Sequence, residues 1–397
     1  MGPHLGLFIN YPKCEVFSRN GISLSPASVK SSILPNLEIL GAPISDIVHC
    51  SRFFAEKHNN FKVLLRAISN VAAVDLHVAI SLLRMCGGYC KLVHLARTTP
   101  TNLCEDSLKF FDEEVRLCFS SCVAIDVPDP QWQQAQLSPK LGGLGLHSLS
   151  LHSRAAFISS VASLEMGNPD NTHLQQAILR FNARVSPQDS ITMESVLNSP
   201  PQQKSLSQKL DSFAFHSLLS SASLVNKARM LSVSSPHASS WITAIPSPSL
   251  KLHLDSAEYQ TAIRVQRNTR PADVLVQDWV RGSPAAIDIT VTSPLTPAML
   301  RDASTSAGSA AYAAECRKHE ANDTKCQELG WTCIPLAVET FGHWGKEAQA
   351  VFSRLASFIA IHRASPKSSV LNEMYSRLNM SLVRSVARAI LVRGSAA

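Results

Sequence analysis

The chain is 397 residues long, which is enough for two or three domains. Hydrophobic residues make up 45% of it and charged residues 17%, as is typical of a protein with a folded core and not of a disordered one. The net charge of +7 is mild, no apolar run approaches the roughly 18 residues of a membrane span, and no secretory leader is recognisable. We therefore expect a nuclear or cytoplasmic protein that is neither secreted nor bound to a membrane.

The ten cysteines form no C-x-x-C pair. Cys86/Cys90 and Cys118/Cys122 are four residues apart on segments predicted to be helical, a spacing that favours reduced, packed thiols over a disulfide framework or a zinc knuckle. The fourteen histidines are scattered along the chain. We expect no zinc.

Two short motifs open the chain: G-L-F-I-N-Y-P-K-C-E at residues 6–15 and L-G-A-P-I at residues 40–44. They resemble the strand that follows the catalytic acids, and the hairpin that grips the primer, in retrotransposon reverse transcriptases. The resemblance implies that residues 1–50 are a remnant of the polymerase palm, with the catalytic aspartates placed before Met1. Because polymerisation by two metal ions needs those carboxylates, we expect no DNA synthesis by this chain. The alternative is an unremarkable pair of strands.

Residues 51–165 show apolar residues at helical spacing, including a stripe that begins at the predicted cap Asp75. The region resembles the helical thumb of the same polymerases, including the stretches W-Q-Q-A-Q-L at 132–137 and G-G-L-G-L at 142–146. These glycines do not match a phosphate-binding G-x-G-x-x-G pattern. They predict a tight turn before a helix over 149–164.

The next region, residues 166–250, is rich in Ser, Gln and Pro. We predict helices over 174–185 and 203–231 and a linker over 232–249, with no assigned function. Retrotransposon relatives carry a zinc knuckle and a helix between this point and the segment beginning at Arg270. We expect no knuckle, since no cysteine lies between Cys122 and Cys316, and no such helix, since residues 259–268 run directly into Arg270. That helix commonly supplies an acid to the metal site of the relatives, a role for which only Glu258 is available here.

The segment R-P-A-D-V-L-V-Q-D-W-V-R-G-S-P-A-A-I-D-I-T-V-T-S, residues 270–293, predicts two strands and a turn. Asp273 opens the first strand and Asp288 lies within the second. A buried aspartate needs a partner, and a divalent cation is one; the alternative is the wet face of an antiparallel sheet. Residues 302–329 predict one long helix with Asp302 as N-cap. That helix carries Lys318 and Lys325 on one face, and a third strand at 331–340 follows it.

This set resembles the restriction-like endonuclease domain, of PD-(D/E)XK type, at the C-terminus of some non-LTR retrotransposon proteins. The resemblance implies Mg²⁺ held by Asp273 and Asp288, with Lys318 as electrophile or water-orienting group. Lys325 and Glu339, which ends the third strand, are second choices. Thr290 stands where the family pattern has a lysine, and in the retrotransposon branch the following helix is thought to supply it.

Residues 346–397 carry eight basic and two acidic residues, a net charge of +6. We predict two helices, the second presenting Arg377, Arg384 and Arg388 in one row that can contact phosphates. The same helix can equally dock on the nuclease sheet with these arginines in water.

The expected fold is therefore mixed: a mainly α-helical, polymerase thumb-like N-terminal two-thirds, then a small α/β restriction-endonuclease-like domain at 251–345, then basic C-terminal helices. The expected function is that of a retrotransposon-derived fragment whose ancestral activity is Mg²⁺-dependent nicking of target DNA to prime reverse transcription. The alternative is a non-catalytic nucleic-acid-binding relic of the same element. The expected partners are DNA and, second, element RNA; the sequence gives no oligomeric state.

Overall fold

The computed structural model describes residues 15–16, 30–31, 37–44, 46–164, 169–264, 274–280, 283–328 and 331–394, and it is mainly helical, as expected. Near the N-terminus, β1 (Glu15–Val16) and β2 (Lys30–Ser31) pair in parallel. Strands β3 (Leu37–Ile39) and β4 (Ala42–Ile44) form an antiparallel hairpin. Its two-residue turn has positive φ at both Leu40 (50°) and Gly41 (79°), the backbone that two-residue hairpin loops favour. Residues 6–14 of the first motif lie outside the described part of the chain.

The N-terminal helices are α1 (Ile47–Ala72), α2 (Leu76–Met85), α3 (Val93–Thr98), α4 (Glu105–Val123), α5 (Asp129–Gln136) and α6 (Leu149–Leu164). Asp75 caps α2 as predicted, because its carboxylate accepts the Val78 N–H. The apolar stripes predicted from spacing meet in one core, where the rings of Phe61 and Phe111 stack 4.5 Å apart. The predicted turn at residues 142–146 has two glycines with positive φ, Gly142 and Gly145.

The connecting region contains α7 (Thr172–Asn182), α8 (Met193–Asn198), α9 (Gln203–Ser221), α10 (Leu224–Val233) and α11 (Ser240–Thr243). The single helix predicted over 203–231 is wrong, because Ser223 caps a new helix there by accepting the Asn226 N–H. The predicted linker over 232–249 is also wrong. Trp241 and Ile242 are buried in the N-terminal core, so this segment packs as part of the folded protein.

A further helix, α12 (Ser256–Arg264), lies where no helix was expected. It packs in the same core through Tyr259, whose ring is 1% exposed and stacks on that of His77 at 4.6 Å. Asp255 and Glu258 hold its first turn by reciprocal bonds to each other's backbone N–H. The prediction failed because the nine-residue segment has only a short apolar stripe.

The sheet of the C-terminal part has the order β5 (Val274–Val280), β6 (Ser283–Thr292), β7 (Thr332–Glu339). Strands β5 and β6 are antiparallel, whereas β6 and β7 are parallel with Asp288 opposite Pro335 and Thr292 opposite Glu339. The crossover contains α13 (Leu300–Ala303) and α14 (Ser309–Glu328). The long helix predicted from Asp302 therefore begins seven residues later, after Gly308, whose φ of +79° ends the preceding turn.

The two faces of this sheet are covered by different helices. Helix α14 lies on the face of Ala337, which packs against Ala311 and Ala314. Helices α15 (Lys346–Arg363) and α16 (Lys367–Gly394) cover the other face, where Ile334, Leu336 and Val338 form a second core with Phe352 and Tyr375. The result is a three-layer α/β/α arrangement in which alternate strand residues face α14 and the pair α15–α16.

One described stretch, Leu76–Thr98, passes a length and composition test for crossing a membrane. It is divided into α2, a 3-10 turn at Tyr89–Lys91 and α3, and half of its apolar window is buried in the protein. That burial is expected of a helical segment that packs in a protein core.

Candidate functional site

Asp288 lies in the middle of β6, on the face that α14 covers. Its Oδ2 is 2.6 Å from the ammonium nitrogen of Lys318 and accepts a 3.3 Å hydrogen bond from the Asn322 amide. Lys318 and Asn322 are four residues apart, so they lie one above the other on the same side of α14. The structure therefore brings together two of the three residues that sequence analysis placed at the site.

The other carboxylate oxygen of Asp288, Oδ1, is buried and has no hydrogen-bond partner among the described residues. The whole side chain is only 12% exposed. A buried carboxylate oxygen without a donor costs free energy, about 1–3 kcal/mol or more for a charged group. A hard cation is the kind of ligand that removes this cost, since Mg²⁺ takes carboxylate oxygens. This orphaned oxygen fits the implied metal ion.

The remaining predicted residues are only partly described. Asp273 lies outside the described residues; in sequence it precedes Val274, which pairs with Ile287, the residue before Asp288. Lys325 belongs to α14, but its side chain is not among those described. Among the described residues, Asp288 is thus the one carboxylate that contacts Lys318.

Glu339 does not join this pair, so its prediction as a metal ligand is corrected. In β7 it stands four residues beyond the partner of Asp288, about 13 Å along the strand. Its Oε2 accepts a 2.5 Å bond from the Ser232 hydroxyl, and its Oε1 accepts the backbone N–H groups of Ala310 and Ala311 at the start of α14. It serves as an anion at a helix N-terminus. Burial, partly offset by these three donors, raises its pKa.

Sequence analysis missed Glu315, a buried acid three residues before Lys318 on α14. Its carboxylate lies by the backbone N–H groups of Glu347 and Ala348 at the start of α15, and burial followed by repulsion from Glu347 raises its pKa. A Cβ at Gly345 would come within 1.9 Å of its Oε1, so a larger residue there would displace the Glu315 carboxylate. The sequence could have indicated Glu315, because it lies about one helical turn before the candidate lysine, Lys318.

The three arginines of α16 do not form a free basic row. The Arg388 guanidinium donates to Glu258 Oε1 at 2.6 Å, and Arg384 lies 3.6 Å from Glu258 Oε2 and donates to the backbone oxygen of His253. Arg377 pairs with Glu373 at 2.8 Å on the exposed side of the helix. Helix α16 packs on the sheet, which was the alternative to phosphate binding. However, Arg384 and Arg388 bind the buried Glu258 instead of facing water. Glu258, 3% exposed, is therefore not available to a metal.

Two other groups of side chains offer metal ligands within 4.8 Å of one another: His147 with His152 and Asp211, and His319 with Asp323 and Cys333. In the second group both ring nitrogens of His319 are already bonded, to Asp323 at 2.8 Å and to Glu347 at 2.6 Å. Burial and the neighbouring Cys326 raise the pKa of Cys333 to about 12, which disfavours the thiolate. Neither group was found from sequence, because its members come from separate elements.

A scan against protein-family models finds no match to this chain, and no curated protein matches it.

Proposed function

We propose that this chain is a retrotransposon-derived protein whose C-terminal α/β part is a metal-dependent nuclease that nicks DNA. The observation that carries the proposal is the contact of a buried strand carboxylate with a helix lysine, Asp288 with Lys318, in which one carboxylate oxygen has no described donor. Such a carboxylate oxygen can bind a metal ion, and a lysine beside it can neutralise charge on a phosphate in the transition state.

The chain's own residues have distinct tasks in this proposal. Asp288 Oδ1 is the ligand for Mg²⁺, which when bound supplies positive charge to the phosphate and lowers the pKa of water. Asp273 is the proposed second ligand, because it adjoins the strand residue that pairs with Ile287. Lys318 neutralises a phosphate oxygen or orients the attacking water. Asn322, through its amide bond to Oδ2, holds the Asp288 carboxyl in one orientation.

A second candidate is a nucleic-acid-binding relic without catalysis. The bonds of Glu339 and Glu258 favour it, because they leave a single described carboxylate at the lysine. Thr290, which stands where the family pattern has a lysine, also favours a protein without catalysis. The polymerase part of the proposed ancestry rests on sequence motifs alone, and DNA synthesis is not part of the proposed activity.

The proposal is tested by nicking of supercoiled plasmid by the purified full chain in Mg²⁺ or Mn²⁺, with chelator as blank. Wild type should nick; Asp288→Asn and Lys318→Ala should lose at least about a hundredfold in rate, the scale of removing a group that acts only in the transition state. Asp302→Asn, which alters an exposed acid of the same part of the chain, is the matched control and should nick normally.

Nicking that survives Asp288→Asn would place the catalytic centre elsewhere. If the wild type does not nick DNA but still binds it with an affinity that falls as salt rises, the second candidate, a non-catalytic nucleic-acid-binding protein, would be supported. An inactive wild type without DNA affinity would overturn both candidate functions.

A further inference from the structure

A second site lies in the helical part of the chain, far along the sequence from Asp288. His147 precedes α6, His152 lies in its first turn, and Asp211 comes from the middle of α9. The Asp211 Oδ1 atom is 3.3 Å from His152 Nε2 and 3.8 Å from His147 Nδ1, and the two imidazole rings are 5.0 Å apart at 72°. The three possible ligand atoms thus lie within 4.8 Å of one another.

These separations match a tetrahedral metal site. With bonds of about 2.0–2.1 Å to a central zinc ion, neighbouring ligand atoms lie about 3.3–3.4 Å apart. Two of the donor pairs are at or within half an ångström of that distance before any ion is bound. Imidazole nitrogens with one carboxylate oxygen are also the donor set that catalytic zinc ions take.

A plain ion pair explains only part of this arrangement. His152 and Asp211, with side chains 3% and 7% exposed, can form a buried His–Asp pair on their own. His147 remains unexplained, because its Nδ1 atom is buried and has no hydrogen-bond partner among the described residues. A buried imidazole nitrogen that makes no hydrogen bond with any described residue, 3.8 Å from a carboxylate that already pairs with His152, is the feature that a metal ion accounts for.

A cavity of about 490 Å³ adjoins the cluster, and both His152 and Asp211 line it. Its wall also includes Arg154 and Arg184, of which Arg154 has a buried Nε without a described partner. A fourth metal ligand, water or an anionic group, can therefore reach the cluster from this side.

We propose that His147 Nδ1, His152 Nε2 and Asp211 bind one divalent ion of the zinc class, with the fourth coordination position open to this cavity. The ion ties the start of α6 to α9. This assignment is independent of the proposed nuclease, whose metal is Mg²⁺ on carboxylate oxygen. It departs from the expectation of no zinc, which rested on the spacing of the cysteines and not on histidine ligands.

Co²⁺ titration of the chelator-treated full chain tests the assignment without any mutation. Tetrahedral Co²⁺ on nitrogen and oxygen ligands absorbs in the visible range and gives no thiolate charge-transfer band in the near ultraviolet. We expect one equivalent with that spectrum, displaced by Zn²⁺. A thiolate band would assign the ion to the group containing Cys333 and overturn the proposal, as would the absence of visible absorption.

Variants then locate the ion. His147→Ala should weaken Co²⁺ binding by more than a hundredfold, beyond the loss typical of a supporting residue, and should fold, because the His147 side chain is 31% exposed. His216→Ala, on the exposed side of the same α9, is the matched control and should bind as wild type does. Equal binding by His147→Ala would overturn the site. If that variant loses its helical circular dichroism, His147→Gln replaces it under the same criterion.

Discussion

Glu339 ends β7 and is almost completely buried, 1% exposed, yet it carries an ionisable carboxyl. Its donors are one hydroxyl and two backbone N–H groups of α14. Even with these donors, burial dominates and raises its pKa above the ordinary value of 4.5. The folded state therefore binds a proton at Glu339 more tightly than the unfolded chain does.

This shift has a defined consequence for stability. Between pH 4.5 and the raised pKa of Glu339 the folded protein holds more protons at this site, so its contribution to the free energy of unfolding falls as pH rises. Glu339→Gln mimics the protonated carboxyl and lacks that dependence. The stability of the variant relative to wild type should therefore increase as pH rises through this window. Urea unfolding at several pH values measures it.

Glu339→Ala is the companion variant, because it removes the acceptor of three donors and should destabilise the protein at every pH by about 1–3 kcal/mol. A stability difference between Glu339→Gln and wild type that stays constant with pH would show that the carboxyl does not titrate differently on folding.

At the scale of elements, Glu258 joins two helices that are 130 residues apart in the chain. Its carboxylate is 4% exposed, and it receives Arg388 and lies beside Arg384, both of α16, while capping its own helix α12. A buried acid whose cations are removed keeps its desolvation cost, so the three charges act as one unit. We expect Arg384 and Arg388 to stabilise the docking of α16 rather than to contact phosphates.

A double-mutant cycle measures this coupling. Glu258→Gln and the double change Arg384→Ala with Arg388→Ala should each destabilise the protein, by about 1–3 kcal/mol, and their combination should cost clearly less than the sum. The control is the exposed pair of Arg377 and Glu373 on the same helix. The coupling energy between Arg377→Ala and Glu373→Gln should be about 0–1 kcal/mol. Additive effects at Glu258 would leave the arginines free for nucleic acid.

The predicted and observed positions of the helices and strands differ in an instructive way. Periodicity located the strand–strand–helix–strand order, because alternation and helical spacing are local properties. The pairing of Asp288 with Lys318 was expected only from the resemblance to restriction-like endonucleases. Periodicity misplaced the start of α14, because the acceptor that satisfies its first N–H groups is Glu339, some thirty residues later. It also assigned the arginines of α16 to solvent or phosphate, because Glu258 is remote in sequence. Partners supplied by distant segments are the common cause of these errors.

At the scale of the whole molecule, the segments predicted as separate domains share their packing. Trp241 and Ile242 of the expected linker, Tyr259 of α12 and Met380 of α16 all lie in the N-terminal core. Asn379, fully buried, accepts from the Trp344 ring N–H at 2.7 Å and donates to the His237 carbonyl. These contacts connect the sheet to the helical region through α11, α12 and α16.

We therefore expect one cooperative unfolding transition and not two. Hydrogen exchange followed by mass spectrometry across a urea series can compare peptides of α4, in the N-terminal core, with peptides of β7. Their midpoints should coincide, because α16 contributes Met380 to the N-terminal core and Tyr375 to the core of the sheet, and cannot leave one without exposing the other. Loss of protection in β7 at lower urea would show that the C-terminal sheet unfolds on its own.

Trp241→Ala sharpens the same test. Deleting a large aromatic side chain from a core costs about 3–5 kcal/mol, and Trp241 contacts Tyr259 with ring centroids 5.7 Å apart. The change should lower the midpoints of α4 and β7 equally, although Trp241 and the buried residues Ile334, Leu336 and Val338 of β7 belong to different hydrophobic clusters. A shift in α4 alone after Trp241→Ala would mean that the junction transmits no stability to the sheet that holds Asp288.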